Sequence, residues 1–326
     1  MTALLIVVAL GFAWSMGAHY TGACMGMPYA LRALTAVQAL LLMAPLSFLG
    51  ATLASHAVEH TVAHKLTAHP LGIDAQVIVV GVAFLVTTLY NRLKAPTSTI
   101  QILVFSLAGT ALGAGVGVRW GTIGLLAIVW VAAPVVAAVL GYGLTRSLDR
   151  VRSLRSSAGG GQASPDAAGG WLAVALIGVG LAASFSMGSN DVANATGSLV
   201  ATHTFSPLTA GAVGGAGLAF GVLTWGKPLL NRIAFDVVDL DRPMATAAQA
   251  VQAVVVLLAV GFGFFTSMNQ ALVGAMAGAS GARGHQVVHR ATFLGIVRGW
   301  ALGPAGGIAL GYLVSRLVVA GGVRLH

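Results

Sequence analysis

Charge is what this 326-residue chain has least of. Asp, Glu, Lys and Arg together make 8% of it, against roughly 25% in a soluble domain. With 57% of its residues hydrophobic, water is excluded as the main solvent. Acids are scarcer than bases, eight against 17 Lys and Arg, and the surplus of +9 raises the question of nucleic acid. The basic residues lie mostly in short breaks between apolar runs, where positive charge marks the cytoplasmic loops of membrane proteins. No motif or aromatic platform for nucleic acid accompanies them. A single cysteine, Cys24, excludes an internal disulfide framework and a multi-cysteine metal site. The opening MTALLIVVALGFAW lacks the Lys or Arg that begins a signal peptide, so it reads as a first helix retained in the chain.

Apolar runs are what the chain has in quantity. A helix crosses a bilayer in about 20 residues, and runs near that length recur at Ala36–Ala57, Ala75–Tyr90, Gln101–Val118, Ile123–Leu144, Trp171–Met187, Pro207–Trp225, Thr246–Phe265 and Ala291–Ala320. The fold class they predict is all-α and polytopic, a multi-pass protein of the cell membrane with the lipid bilayer around it. Gly- and Ala-rich faces permit close helix packing, within the chain or in a homo-oligomer. One segment, Arg146–Gly170, breaks the pattern: four arginines (Arg146, Arg150, Arg152, Arg155) with one acid, Asp149, then a Gly/Ser/Ala-rich stretch. It reads as a flexible cytoplasmic linker between residues 1–145 and 171–326.

Those two parts repeat each other. Ser15-Met16-Gly17 returns as Ser186-Met187-Gly188, 171 residues on. Thr97-Ser98-x-x-Gln101-x-Leu103-Val104 returns as Thr266-Ser267-x-x-Gln270-x-Leu272-Val273 at a shift of 169, and Trp130, Pro134, Gly141 and Tyr142 as Trp300, Pro304, Gly311 and Tyr312 at 170. Three matches at nearly one shift predict two homologous repeats. Duplicated membrane halves commonly have inverted topology, with broken or re-entrant helices around a solute site near the midplane.

Seven of the eight acids (Glu59, Asp74, Asp149, Asp166, Asp236, Asp239, Asp241) sit near run ends or in polar loops. Asp191 does not. It lies in Gly188-Ser189-Asn190-Asp191-Val192-Ala193-Asn194-Ala195-Thr196-Gly197, directly after a membrane run. A carboxylate there costs at least about 2.5–3.5 kcal/mol and normally faces a cavity or a partner. Asn190, Asn194, Thr196 and Ser189 surround it with the hard oxygens a small cation prefers. The bordering glycines let a helix unwind, which frees carbonyls for a cation and N–H groups for an anion. Helix capping by the Asn-Asp pair is the plainer use of the same residues.

GSNDVANATG resembles the signature of the inorganic phosphate transporter (PiT) family, G-x-N-D-x-A-N-x-x-G, which in that family occurs in both halves. Gly214-Gly215-x-Gly217 followed by Thr224-Trp225-Gly226 is similar to the family's glycine-rich helix ending in T-W-G. The resemblance implies a cation-coupled symporter for a tetrahedral oxyanion, with translocation and no covalent chemistry, hence no enzyme and no cofactor. The second element of each half, Pro96-Thr97-Ser98-Thr99-Ile100-Gln101 and Phe265-Thr266-Ser267-Met268-Asn269-Gln270, offers hydroxyl and N–H donors ahead of a small-residue helix, suited to an oxyanion or to ordinary capping. The family reads P-x-S-T-T-H here, so both copies carry Gln in place of His, and the second lacks the Pro.

The first signature copy, GAHYTGACMG, departs further: His19 stands opposite Asn190, Tyr20 opposite Asp191 and Ala23 opposite Asn194. Its carboxylate is gone. The expected assignment is substrate binding by Ser98, Thr99, Ser267, Asn194 and Thr196, and Na⁺ or H⁺ coupling by Asn190, Asp191 and His19. The anion is phosphate first and sulfate second. Arg32 and Arg298 suit either an oxyanion or snorkelling to the interface. Two other classes compete: a membrane metalloprotein using His56, Glu59, His60 and His64, which match H-x-x-E-H, and a non-transporting receptor derived from a transporter.

Overall fold

In a bilayer every backbone N–H and C=O must be paired within the protein, which leaves helices as the means for these runs to cross. The computed structural model describes residues 1–95, 97–158, 165–230, 240–284 and 290–325, and the side chains of all of these except 155–169 and 285–297. Pro96, Asp236, Asp239, the stretch 159–164 and the side chains of Arg155 and Asp166 therefore lie outside the described residues. The helices are α1 (Thr2–His19), α2 (Thr21–Ala30), α3 (Ala36–Ala54), α4 (His56–His64), α5 (Ile73–Arg92), α6 (Thr99–Gly113), α7 (Trp120–Ala158), α8 (Pro165–Ala201), α9 (Pro207–Trp225), α10 (Arg242–Gly261), α11 (Met268–Gly281) and α12 (Arg290–Ala320). Eight stretches among them are long and apolar enough to cross a membrane, with α1 and α2 counting as one. The chain is a multi-pass membrane protein.

Three sequence expectations change. The apolar run Gln101–Val118 does not become a full span: α6 has 15 residues and its counterpart α11 has 14, both short of the roughly 20 a crossing needs. The basic part of the expected linker is helical, because α7 continues through Ala158; Arg146–Asp149–Arg150 at i, i+3 and i+4 spacing is compatible with a solvated helix end. The intact signature is not unwound, since α8 runs through Gly188–Gly197 without interruption. The break falls in the degenerate copy, at Tyr20 (φ −93°, ψ 2°) between α1 and α2.

The repeat is written into the backbone. α1–α2, α3, α5, α6 and α7 correspond in order to α8, α9, α10, α11 and α12. Residues with left-handed φ recur in pairs even where the side chain changes: Arg32 and His203 (55° each), Lys94 and Gly263 (52° and 71°), Gly115 and Gly284 (76° and 69°). Such φ values are uncommon outside glycine, so their recurrence marks one set of turns used twice.

The halves also complete each other. α3 packs on α8 as α9 packs on α1, and α6 packs on α12 as α11 packs on α7. Glycine permits these crossings. A methyl added to Gly188 would overlap the carbonyl of Ser47, and one added to Gly17, its counterpart, would overlap the carbonyl of Leu218, the counterpart of Ser47. At the face expected to be cytoplasmic, Arg283 after α11 clasps Asp149 of α7 and Asp241, the N-cap of α10. Hydrogen bonding to Asp149, opposed by burial and reinforced by Asp241, raises the guanidinium's pKa, so this tie between the halves stays charged.

Candidate functional site

Two half-length helices pointing their N-termini inward place unpaired backbone N–H groups in the protein interior. Ser98 caps α6 by accepting from the N–H of Gln101 (3.4 Å), and Ser267 caps α11 by accepting from the N–H of Gln270 (3.4 Å). The two termini meet: Gln101 Nε2 donates to Gln270 Oε1 at 3.5 Å. These glutamines, which stand where the resembled family has histidines, retain 7% and 5% of their exposure, whereas Ser98, Ser267, Thr99 and Asp191 retain none. The carboxylate is sealed from solvent.

Asp191 is held by its own helix and by the opposite half. Asn190 Nδ2 donates to its Oδ2 (3.0 Å), while Asn194 Nδ2 and Thr99 Oγ1 each lie 3.5 Å from its Oδ1. Tyr20 reaches the same point, its hydroxyl 2.8 Å from Thr99 Oγ1. The sequence singled out Asp191, Asn190, Asn194 and Thr99, and the structure brings these four together with Tyr20, which the sequence ranked only as a lost carboxylate. Asn194 Oδ1, Gln101 Oε1, Asn269 Oδ1 and Gln252 Oε1 are buried and without a hydrogen-bond donor. Buried polar oxygens are normally paired; of these four, Asn194 Oδ1 belongs to a side chain already against the Asp191 carboxylate, and oxygens of that kind beside a carboxylate are chemically suited to a hard cation.

Asn190 has a second task. Its side-chain amide grips the backbone of Thr266 twice, donating to the carbonyl (2.9 Å) and accepting from the N–H (3.1 Å), which fixes the segment leading into α11. His19 performs the corresponding task in the first half: its Nε2 lies 3.5 Å from the N–H and 3.3 Å from the carbonyl of Thr97. Asn91 anchors the other ring nitrogen, Nδ1, at 2.5 Å, and itself donates to the carbonyl of Ser15 (2.8 Å). The partners assign the Nδ1–H tautomer, with Nε2 accepting from Thr97 N–H and from Asn269 Nδ2 (3.4 Å).

Other sequence candidates lie apart. Thr196 points to α4, where its Oγ1 is 2.7 Å from Glu59 Oε1. Arg32 and Arg298 are exposed. The H-x-x-E-H group does not assemble a metal centre: Glu59 is buried while His56 is 43% exposed at its side chain, and no group of three His, Cys, Asp or Glu side chains among the described residues is placed to hold an ion. Residues the sequence reading missed are amides inside apolar helices, Gln249 on α10, which donates to the carbonyls of Ala23 and Cys24, and Asn91 on α5. The signal was there, in Gln249 and Gln252 one helical turn apart within an otherwise apolar run. Thr224-Trp225-Gly226 secures the broken helix: Trp14 stacks on Trp225 (5.1 Å), Trp14 Nε1 donates to Thr224 Oγ1 (2.8 Å) and Thr21 donates to the carbonyl of Gly226 (3.0 Å).

The model of a phosphate transporter family matches residues 16–311. The chain belongs to that family. It is similar to a Pyrococcus horikoshii protein named "putative phosphate permease", 23% identical with 98% of each chain covered, and to the "sulfate permease CysP" of Bacillus subtilis, 26% identical over 96% of this chain and 86% of the relative. The solved structure titled "The sodium-dependent phosphate transporter" shares the fold, with a TM-score of 0.88 at 21% identity over 98% of this chain and 99% of that one. Within the phosphate transporter family the chain is a transporter and not an enzyme.

Proposed function

We propose that the chain is a secondary active symporter that carries inorganic phosphate, driven by a Na⁺ or H⁺ gradient. The observation that supports this best is the meeting of the α6 and α11 N-termini, through Gln101 and Gln270, beside a sealed carboxylate. Helix N-termini favour anions through their free N–H groups and dipoles. In this reading Ser98, Thr99 and Ser267 meet the oxyanion with the first-turn amides. Asp191, with Asn190 and Asn194, takes the coupling cation or proton. An anion and a cation bound side by side neutralise one another, which lowers the cost of carrying either through a low-dielectric interior. Thr196 is a positioning residue on α8, and His19 a strut for Thr97 and Ser98.

Sulfate is the second reading. It is favoured by the similarity to a sulfate permease and by Tyr20, which leaves the first signature without a carboxylate and so with less negative charge to repel a dianion. The test is uptake of labelled phosphate and sulfate into proteoliposomes under imposed Na⁺ and H⁺ gradients. Accumulation of phosphate above sulfate under either gradient is expected. Sulfate accumulation alone selects the second reading, and none with either anion selects a non-transporting receptor.

A further inference from the structure

A second buried carboxylate, unused by the transport site above, lies one helix away from it. Glu59 on α4 is fully buried, and it has no acidic counterpart, since Leu230 stands 171 residues on. Its surroundings are short of protons. Thr196 Oγ1 sits 2.7 Å from Glu59 Oε1 and 3.0 Å from the carbonyl of Val192, yet a hydroxyl donates only one hydrogen. The neighbouring hydroxyl of Ser55 donates to the carbonyl of Ala51, at 2.6 Å. Glu59 Oε2 has no donor at all. With the acid ionised, Thr196 must abandon either the carboxylate or Val192. With the acid protonated on Oε1, Glu59 donates to Thr196 Oγ1, Thr196 donates to Val192 and both contacts are satisfied. The geometry therefore fits a neutral carboxyl better than a carboxylate, in line with the high cost of an unpaired buried charge.

The route for a proton is also present. His56 Nδ1 lies 3.8 Å from Glu59 Oε2 with its side chain 43% exposed. It stands between water and the unpaired oxygen. On transfer the N–H bond at His56 Nδ1 breaks and an O–H bond at Glu59 Oε2 forms, turning an imidazolium–carboxylate pair into two neutral groups; a turn of the carboxyl group about its Cγ–Cδ bond then exchanges the two oxygens and brings the hydrogen to Thr196 Oγ1. The remaining titratable neighbours are few. α4 carries His60 and His64 farther along, and His203 approaches His64. α8 presents Asp191, five residues before Thr196 and so about 7.5 Å along the helix. α9 has no titratable side chain. α10 has Arg242 at its first residue, the end opposite Gly263, whose carbonyl accepts from Thr61 of α4.

We propose that Glu59 is a proton-binding site of the transport cycle, loaded from water through His56 and read by the signature helix through Thr196. Ionisation removes the hydrogen that lets Thr196 bond both α4 and Val192, so it loosens α4 from the helix that carries Asn190, Asp191 and Asn194. The coupling half of this inference rests on the transport reading above; the protonation half does not. Two measurements separate them. Infrared difference spectra of the purified full-length protein, titrated across neutral pH, should contain a protonated-carboxyl C=O band that Glu59→Gln abolishes and Glu59→Asp retains at a shifted position. In proteoliposomes, Glu59→Gln should keep phosphate or sulfate exchange between the two sides but lose the pH dependence of net uptake, Glu59→Asp should restore that dependence, and His56→Gln should shift it. A band that survives in Glu59→Gln, or a wild-type pH profile in that variant, overturns the role of Glu59. A Glu59 band in a wild-type protein that moves neither anion overturns the transport reading and leaves the protonation site standing.

Discussion

His19-Tyr20-x-x-Ala23 in the first half and Asn190-Asp191-x-x-Asn194 in the second occupy matching places in a duplicated fold, and they have diverged by different amounts. The first position has changed its residue and kept its task, because His19 grips the backbone of Thr97 as Asn190 grips that of Thr266. The second position has changed its charge. Tyr20 and Asp191 both converge on Thr99, so the two halves contribute one carboxylate and one phenol to a single cluster instead of two carboxylates. The third has lost its polar side chain altogether. Divergence is thus smallest where the fold is held together and largest where ions would be held, the expected outcome when both halves must still pack and only one must still bind.

The strongest way to break the comparison is to attack what the halves share. Gly188→Leu drives a side chain into the Ser47 carbonyl, and Gly17→Leu does the same at Leu218. Each crossing lies between helices that cannot separate without exposing buried faces, so the cost falls at or beyond the upper end of the about 1–3 kcal/mol of ordinary overpacking. Both variants should lose the monodisperse peak in size-exclusion chromatography after detergent extraction. Gly143→Leu, on a face of α7 with nothing within reach of an added Cβ, should keep it. A folded Gly188→Leu beside an unfolded Gly17→Leu would mean that the halves are not equivalent in packing.

Next in size is the position where they differ in charge. Asp191→Asn keeps the shape and removes the only carboxylate in the cluster. A charged hydrogen-bonding partner contributes about 1.5–3 kcal/mol, which corresponds to about 10–100-fold in cation affinity. Gradient-driven accumulation should fall to background in a proteoliposome uptake assay. Retention of more than about a third of wild-type uptake would remove Asp191 from coupling.

Much of this was legible in the residues, and what was not has physical causes. The repeat was readable because packing glycines and turn residues cannot drift freely: Gly17 and Gly188 each lie against a carbonyl. Asp191 was readable because a carboxylate amid apolar runs demands a partner. The length of α6 was not, since Val116 and Val118 continue the apolar pattern beyond the helix end at Gly113 and hydropathy does not register backbone direction. A helix break at the signature occurs in the first copy, at Tyr20, and its absence from the second was not legible for a related reason: glycines permit unwinding without requiring it, and in α8 close packing uses them instead. The contact of Thr196 with Glu59 was not legible either, since sequence proximity to Asp191 does not tell which side of a helix faces α4.

His19 supplies a subtler test. Its role as a strut, shared with Asn190, makes the exchange His19→Asn the conservative one and His19→Ala the damaging one. Removing the grip on Thr97 and the bond to Asn91 loses two hydrogen bonds of about 1 kcal/mol each, so His19→Ala should reduce uptake by roughly tenfold or more. His19→Asn should stay within about threefold of wild type on the same scale, with an unchanged pH profile. A profile flattened by His19→Asn would move the titrating group from Glu59 to His19, returning proton coupling to the first signature.

The smallest effect is expected where the phenol replaced the carboxylate. Tyr20→Phe deletes one hydroxyl, 2.8 Å from Thr99, and leaves the ring to fill the same buried space, so no cavity opens. Thr99 keeps two other polar neighbours, Asp191 Oδ1 and Asn194 Nδ2, at 3.5 and 3.4 Å, and its hydroxyl can turn fully toward the carboxylate. The loss of one neutral hydrogen bond, about 0.5–1.5 kcal/mol, is thereby partly recovered, and uptake should fall by less than about threefold. Its size relative to Asp191→Asn is what matters: a drop to background in Tyr20→Phe would make the two positions equal partners and end the reading of a single charged centre.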